Sequence, residues 1–173
     1  NNTTADSYTP VRVLGVNGNG YLSDIIQVSV AGNSRSSYAL SSTGNVYAWG
    51  GNASGQLGQG DTTGSLTPLQ VKGVDGNGFL SGIVKLAHDE YGADSLVALG
   101  SDGYVYTCGN NAFGQLGINS TTNSSTIKRV IAISGTGLLT NIVDVASGGY
   151  GSYALNSSGN MLAWGFNIWG QLG

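Results

Sequence analysis

The chain has 173 residues, with six Lys and Arg against nine Asp and Glu, for a formal net charge of −3. Only 9% of residues are charged, against roughly 25% in an average soluble protein, so uncharged Ser, Thr and Asn must carry solubility. The cations Arg12, Arg35, Lys72, Lys85, Lys128 and Arg129 are scattered apart from one adjacent pair, which excludes a phosphate-neutralising stripe and nucleic acid as a partner. No apolar run approaches the roughly 18 residues of a membrane span, so no membrane insertion is expected.

In chain order, Asn1 to Val13 is a polar stretch ending in Tyr8-Thr-Pro-Val-Arg-Val13. Gly15-Val-Asn-Gly-Asn-Gly20 follows; it is read as a turn, because a phosphate cradle needs a helix N-terminus after its glycines and here a strand comes next. Ile25 to Ala31 is β-branched and alternating, as in a buried inner strand. Ser36 to Ser41 and Val46 to Gly50, joined by the Gly-containing turn Ser42-Thr-Gly-Asn45, read as a hairpin. Alternation puts Tyr47 and Trp49 on one face of the third strand and Val46 and Ala48 on the other. A linker ending in Gly55-Gln-Leu-Gly58 leads to an outer strand, Thr67 to Val71.

The same order then recurs. The second unit has strands at 83–87, 95–99, 104–108 and 126–131, and the third at 142–146, 152–156 and 161–165. The tails Gly55-Gln-Leu-Gly58, Gly114-Gln-Leu-Gly117 and Gly170-Gln-Leu-Gly173 stand 59 and 56 residues apart (114 − 55 and 170 − 114). That length accommodates one four-stranded propeller blade per unit. The fold is therefore expected to be all-β, a propeller-type array of three antiparallel blades, divided as residues 1–58, 59–117 and 118–173. Trp49, Cys108 and Trp164 should occupy equivalent buried positions over Ile25, Ile83 and Ile142, which makes Cys108 an inert core thiol. The tail glycines should supply positive φ or a close approach of backbone between blades. Measured between alanines, the second unit has a longer connection from its first to its second strand, 11 steps from Ala87 to Ala98 against 8 from Ala31 to Ala39 and from Ala146 to Ala154.

Ala39-Leu40, Gly44, Val46, Trp49-Gly50, Asn52, Gly55-Gln-Leu-Gly58 and Pro68 to Val71, with their two later echoes, resemble the repeat of the regulator of chromosome condensation family. The resemblance covers the whole chain and implies a propeller, commonly of seven blades, whose members act as exchange factors, chromatin binders, enzyme inhibitors or interaction platforms. Two departures stand out. The family's His three residues before Ala-Leu is replaced by Ser36, Ser95 and Gly151, and three units fall short of the ring. Gly18-Asn-Gly-Tyr-Leu-Ser23 looks like the bacterial, cell-surface branch, which with the low charge implies an extracellular home.

Few residues carry chemistry. His88-Asp-Glu-Tyr-Gly-Ala-Asp94 gathers the single His with three carboxylates, but one imidazole beside mobile carboxylates lacks a second fixed ligand, so no metal site is assigned. Asp75 and Asn77 are not read as calcium ligands, because the matching Asn17 and Ser134 lack charge. No serine is set in a nucleophile motif, so neither catalysis nor a cofactor is expected. Partner contacts should fall on the loops between the first two strands of each blade, at Arg35, Asp89, Glu90, Tyr91, Asp94 and Tyr150.

The third unit stops before an outer strand, whereas residues 1–13 match the linker and outer strand of 59–71. Three blades at the seven-blade pitch of about 51° sweep only about 154°, so the ends should not meet. The expectation is a non-enzymatic, extracellular structural or interaction protein in which Tyr8, Thr9, Val11 and Val13 complete the third blade of another copy, giving a filament or ring. The alternative is a piece of a larger seven-bladed propeller that binds a protein partner of inhibitor, adhesin or exchange-factor type.

Overall fold

The computed structural model describes residues 1–31, 35–87 and 94–173. Its first sheet is β1 (Ile25–Ala31), β2 (Ser36–Ser41), β3 (Val46–Gly50) and β4 (Ser65–Gln70); the second is β5 (Ile83–Leu86), β6 (Ser95–Gly100), β7 (Val105–Gly109) and β8 (Ser124–Arg129). The third holds β9 (Ile142–Gly148), β10 (Gly151–Asn156) and β11 (Met161–Gly165), and among the described residues no strand pairs with the outer side of β11. All neighbours within a sheet are antiparallel.

One turn closes the hairpin of every blade. The amides of Ser41, Gly100 and Asn156 donate to the carbonyls of Asn45, Tyr104 and Asn160 at 2.9, 3.0 and 3.0 Å. The outer strands begin two residues earlier than the sequence suggests. Pairing starts at Gly50 with Ser65 and at Gly109 with Ser124, where each serine hydroxyl also bonds the carbonyl two residues on. Pro68 is tolerated in β4 because this strand is the sheet edge.

The registers also correct the loop comparison. Val28, Leu86 and Val145 oppose Ala39, Ala98 and Ala154, so Ser29, and not Ala31, matches Ala87 and Ala146. From those positions to the paired alanines the steps are 10, 11 and 8 (39 − 29, 98 − 87, 154 − 146). The third connection is thus short, and the second exceeds the first by one residue.

The core lies between the sheets and not within any one of them. Tyr38, Leu40, Val46 and Ala48 from the back of the first blade meet Ile83, Leu86, Ala98 and Cys108 from the front of the second. Val97, Leu99 and Val105 meet Ile142, Val145 and Ala154 in the same way, with Leu162 and Trp164 packed against them. Of the six residues expected to be equivalent, Cys108, Ile83 and Ile142 are buried, while Trp49, Ile25 and Trp164 are half-buried. None is exposed. Trp49 and Ile25 lie on the front of the first blade, which no other blade covers.

Candidate protein-interaction faces

The repeated tail is a wired loop. Asn52, Asn111 and Asn167 each accept, on the side-chain oxygen, the amide of the tail leucine: Leu57 at 2.9 Å, Leu116 at 2.9 Å and Leu172 at 3.0 Å. In the first two blades the amide nitrogen of the same Asn spans the linker, to Asp61 and Thr63 or to Ser120 and Thr122. Gln56, Gln115 and Gln171 each take the amide two residues upstream at 2.9 to 3.0 Å. The sequence reading gave the tail's role to glycine alone. Recurrence of Asn and Gln at fixed offsets from the Gly pair was the available signal for this polar clamp.

The glycines do what was expected. Gly55 has φ +83°, and a Cβ there would stand 2.5 Å from the backbone of Ser125 in the next blade's outer strand. Gly117 has φ +64°, and its Cβ would meet the Trp164 indole nitrogen at 2.8 Å.

The tail also joins blades. The carbonyl of Gln115 accepts the Trp164 Nε1–H at 2.9 Å and the Ser152 hydroxyl at 2.8 Å. At the first joint the carbonyl of Gln56 lies 3.5 Å from Cys108 Sγ. Burial pushes the Cys108 thiol up to about 12, so it is a neutral core group. Leu57 joins the core of the first joint, Leu116 is likewise fully buried, and Leu172, in the third tail, is half-buried.

Two apolar faces are exposed at the ends of the array in the structure. On the front of the first blade a groove of about 350 Å³ is lined by Val13, Leu22, Ile25, Val28 and Trp49. Val28 is 64% exposed, whereas its equivalents Leu86 and Val145 are 0% and 2%. On the back of the third blade, Tyr153, Leu155 and Met161 line a shallower depression. Tyr8, Thr9 and Val11 belong to no strand, and Tyr8 is 96% exposed. Val13 nevertheless sits as its counterparts do: its carbonyl accepts the amide of Leu22 at 3.1 Å, as those of Val71 and Val130 accept Leu80 and Leu139 at 2.9 Å.

Of the loop residues expected to meet a partner, Asp89, Glu90 and Tyr91 lie outside the described residues. Arg35, Asp94 and Tyr150 take one conformation, φ +55°, +45° and +66°, and each carbonyl accepts an amide of its own tail, from Gly51, Asn110 and Phe166. Tyr150 also packs edge-on against Phe113 and Phe166, with centroids 5.2 and 6.2 Å away, and Phe113 and Phe166 are 4.7 Å apart. This trio straddles the second joint; at the first joint the same positions hold Ser54, Asp94 and Asn110. Across the inner strands, Lys85 pairs with Asp144, and Gln27 bonds both backbone groups of Leu86. Among the described residues no group of three His, Cys, Asp or Glu is placed to hold a metal, and no helix is long and apolar enough to cross a membrane.

The model of the regulator of chromosome condensation (RCC1) repeat matches residues 43–98 and 102–155, and a second model of that repeat matches 25–56. The chain belongs to the RCC1 repeat family. It is 34% identical over 153 residues to the human E3 ubiquitin-protein ligase HERC2, covering 88% of this chain and 3% of that protein. It is 28% identical over 170 residues to the Arabidopsis thaliana ultraviolet-B receptor UVR8, covering 98% and 35%. A mouse RCC1-like G exchanging factor-like protein is 33% identical over 147 residues, covering 85% and 30%. Among solved structures, human WBSCR16 aligns with TM-score 0.63 and 27% identity over 83% of this chain and 33% of its own, and yeast Prp20p with 0.65 and 20% over 84% and 34%. The RCC1 repeats here thus span about a third or less of each of these proteins.

Proposed function

We propose that this chain is a non-enzymatic protein-interaction element of RCC1 blades and that it joins copies head to tail by strand exchange. The observation that carries the interaction reading is the tandem RCC1 repeat, whose tails tie one blade to the next, and strand exchange is the finer part of the proposal. An unpaired strand edge is an association site, and adding a strand from another molecule satisfies its free backbone groups. In the complete blades the amides of Val71 and Val130 donate to Val46 and Val105 at 2.9 and 3.0 Å. The matching donation runs from Val13 of one copy to Met161 of the next. Such a contact is heterologous, so it closes into a ring or propagates as a filament according to the rotation per copy. An extracellular home, suggested by the low charge and the Gly-Asn-Gly-Tyr-Leu-Ser stretch, belongs to the same proposal. Light scattering and electron microscopy of the chain with and without residues 1–13 test it: concentration-dependent assemblies that vanish on deletion are expected, and a full-length chain that stays monomeric at high concentration overturns it.

A second reading, that the blades serve a larger propeller docking another protein, is favoured by the Phe113, Tyr150 and Phe166 trio. Clustered aromatic side chains at a surface are the residue class enriched at protein interfaces. Relatives are described in such terms: Prp20p by its binding to Gsp1p and histones, and the mouse relative as a G exchanging factor-like protein. Under this reading, peptides selected for binding to the chain lose affinity for Phe113→Ala and Tyr150→Ala while self-association is unchanged.

A further inference from the structure

A short hairpin leads into each blade, closed by single bridges from Leu14 to Tyr21, Lys72 to Phe79 and Ile131 to Leu138. The first two, Gly15-Val-Asn-Gly-Asn-Gly20 and Gly73-Val-Asp-Gly-Asn-Gly78, hold four of the five places in the chain where Asn or Asp precedes Gly; the fifth is Asp102-Gly103. At such a pair the peptide nitrogen can attack the preceding side chain, because glycine has no Cβ to shield its own amide. The attack also needs that amide to be free of other partners. At three places it is held: the amides of Gly18, Gly76 and Gly103 donate to the carbonyls of Gly15, Gly73 and Gly100 at 2.9, 2.9 and 3.0 Å. At the other two, among the described residues, no acceptor takes the amide of Gly20 or Gly78, and a Cβ on either glycine would meet nothing within 4 Å. Asn17, Asn19 and Asn77 are all exposed, so solvent access does not separate them. Position in the hairpin does. Asn19 and Asn77 are equivalent, and the third hairpin holds Thr136 there.

We propose that Asn19 and Asn77 are sites of spontaneous deamidation and that Asn17, two residues from Asn19, is protected. The Gly20 amide nitrogen gives up its proton to water and bonds to Asn19 Cγ; the Cγ–Nδ2 bond breaks, and ammonia leaves with a proton taken back from water. A second water then opens the cyclic succinimide. Opening at the side-chain carbonyl gives aspartate, and opening at the main-chain carbonyl gives isoaspartate, in which the backbone runs through Cβ and Cγ. Each event replaces an amide by a carboxylate, so conversion at both sites takes the formal charge from −3 to −5 (−3 − 2). The isoaspartyl form also adds a backbone carbon beside Gly20 and Gly78. Their carbonyls accept the amides of Gly15 and Gly73 at 3.0 and 3.1 Å, so the bond that closes each hairpin is loosened. Asn77 carries one restraint: its Nδ2, the leaving nitrogen, donates to the carbonyl of Val74 at 3.3 Å. Asn19 is therefore the faster site. The chemistry is independent of head-to-tail association.

The test is peptide mapping of the native chain held at mildly alkaline pH and physiological temperature. Trypsin releases residues 13–35, with Asn17 and Asn19, and residues 73–85, with Asn77; fragmentation of each peptide in the mass spectrometer places the amide-to-acid conversion. In the folded chain Asn19 and Asn77 should convert to a mixture of aspartate and isoaspartate. Asn17 should convert about fivefold more slowly than Asn19, the rate factor of one net hydrogen bond. In urea that difference should vanish. Asn19→Thr, which copies the third hairpin, should remove conversion at that position and leave Asn77 converting at the native rate. Equal rates at Asn17 and Asn19 in the folded chain overturn the proposal. So do Asn19 and Asn77 that stay intact in the folded chain over a time in which they convert in urea.

Discussion

Trp164 donates its indole N–H to the backbone carbonyl of Gln115 across the joint between the second and third blades, at 2.9 Å. The same carbonyl takes the Ser152 hydroxyl, so one tail peptide ties down two strands of the next sheet. Trp164→Phe keeps most of the ring packing and removes the donor. A net loss of about 1 kcal/mol follows, the usual contribution of one hydrogen bond. Trp164→Ala removes the ring as well and should cost about 3 kcal/mol, the low end for truncating a large aromatic because the side chain is half-buried. Urea denaturation followed by circular dichroism separates the two variants.

The buried Asn of the tail gives a sharper contrast. Asn111 is fully buried and bonds the amide of Leu116 and the carbonyls of Ser120 and Thr122. Asn111→Ala leaves the buried Leu116 amide without its acceptor, while the carbonyls of the exposed Ser120 and Thr122 can turn to water, at a cost of about 1 to 2 kcal/mol. Asn167 is exposed, and among the described residues its side chain bonds just the amide of Leu172, so Asn167→Ala should change stability by less than about 0.5 kcal/mol. Equal losses at the two positions, measured by thermal melting, would contradict the burial difference.

Cys108 links burial to pH. Its thiol is raised from 9.0 to about 12 by desolvation, while the unfolded chain ionises at the ordinary value. Between those two values the unfolded state binds fewer protons, so stability falls as pH rises above about 9. Cys108→Ala should flatten that alkaline slope. At neutral pH, a thiol reagent should label the native chain only as fast as it opens and should label the urea-unfolded chain at once.

At the acid end the signal is small. The hydrogen bond from Lys85 lowers the Asp144 carboxyl below its ordinary 3.8. The resulting stability is fully present above that value and is lost as pH falls through the depressed one. Both side chains are about half exposed, at 41% and 50%, so solvent screening holds the contribution to at most about 0.5 kcal/mol. Asp144→Asn should shift the melting temperature by a degree or two at low salt and not measurably at 1 M salt.

The fold was legible because it repeats: three in-register copies of alternating strands and Gly turns leave one architecture, and Ile83, Ile142 and Cys108 lie where the pattern puts them. Loop register was not legible from alanines, since Ala31 and Ala87 look equivalent in the sequence while pairing makes Ser29 the true counterpart. The aromatic trio escaped notice for a different reason. Phe166 lies beside Tyr150 within the third blade, but Phe113 belongs to the preceding tail, and only the packing of the third blade on the second brings it to them. The polar clamp was half visible, as recurring letters whose hydrogen bonds run within loops that alternation does not describe.

One position, read in all three blades, separates what a blade needs from what its neighbour supplies. Leu86 and Val145 are buried at the two joints, and Val28 is exposed on the open front face. Leu86→Ala should cost about 2 to 5 kcal/mol, the range for emptying a packed site, and Val145→Ala rather less because fewer atoms are removed. Val28→Ala should fall within about 0.5 kcal/mol of the native chain when measured at concentrations where it is monomeric. Raising the protein concentration changes that comparison. If a second copy covers the front face, the native chain gains apparent stability by mass action while Val28→Lys does not, because docking would desolvate the lysine without a partner charge. Melting curves of both proteins over a hundredfold range of concentration measure this directly: parallel curves that never separate would mean that nothing in this chain docks against Val28.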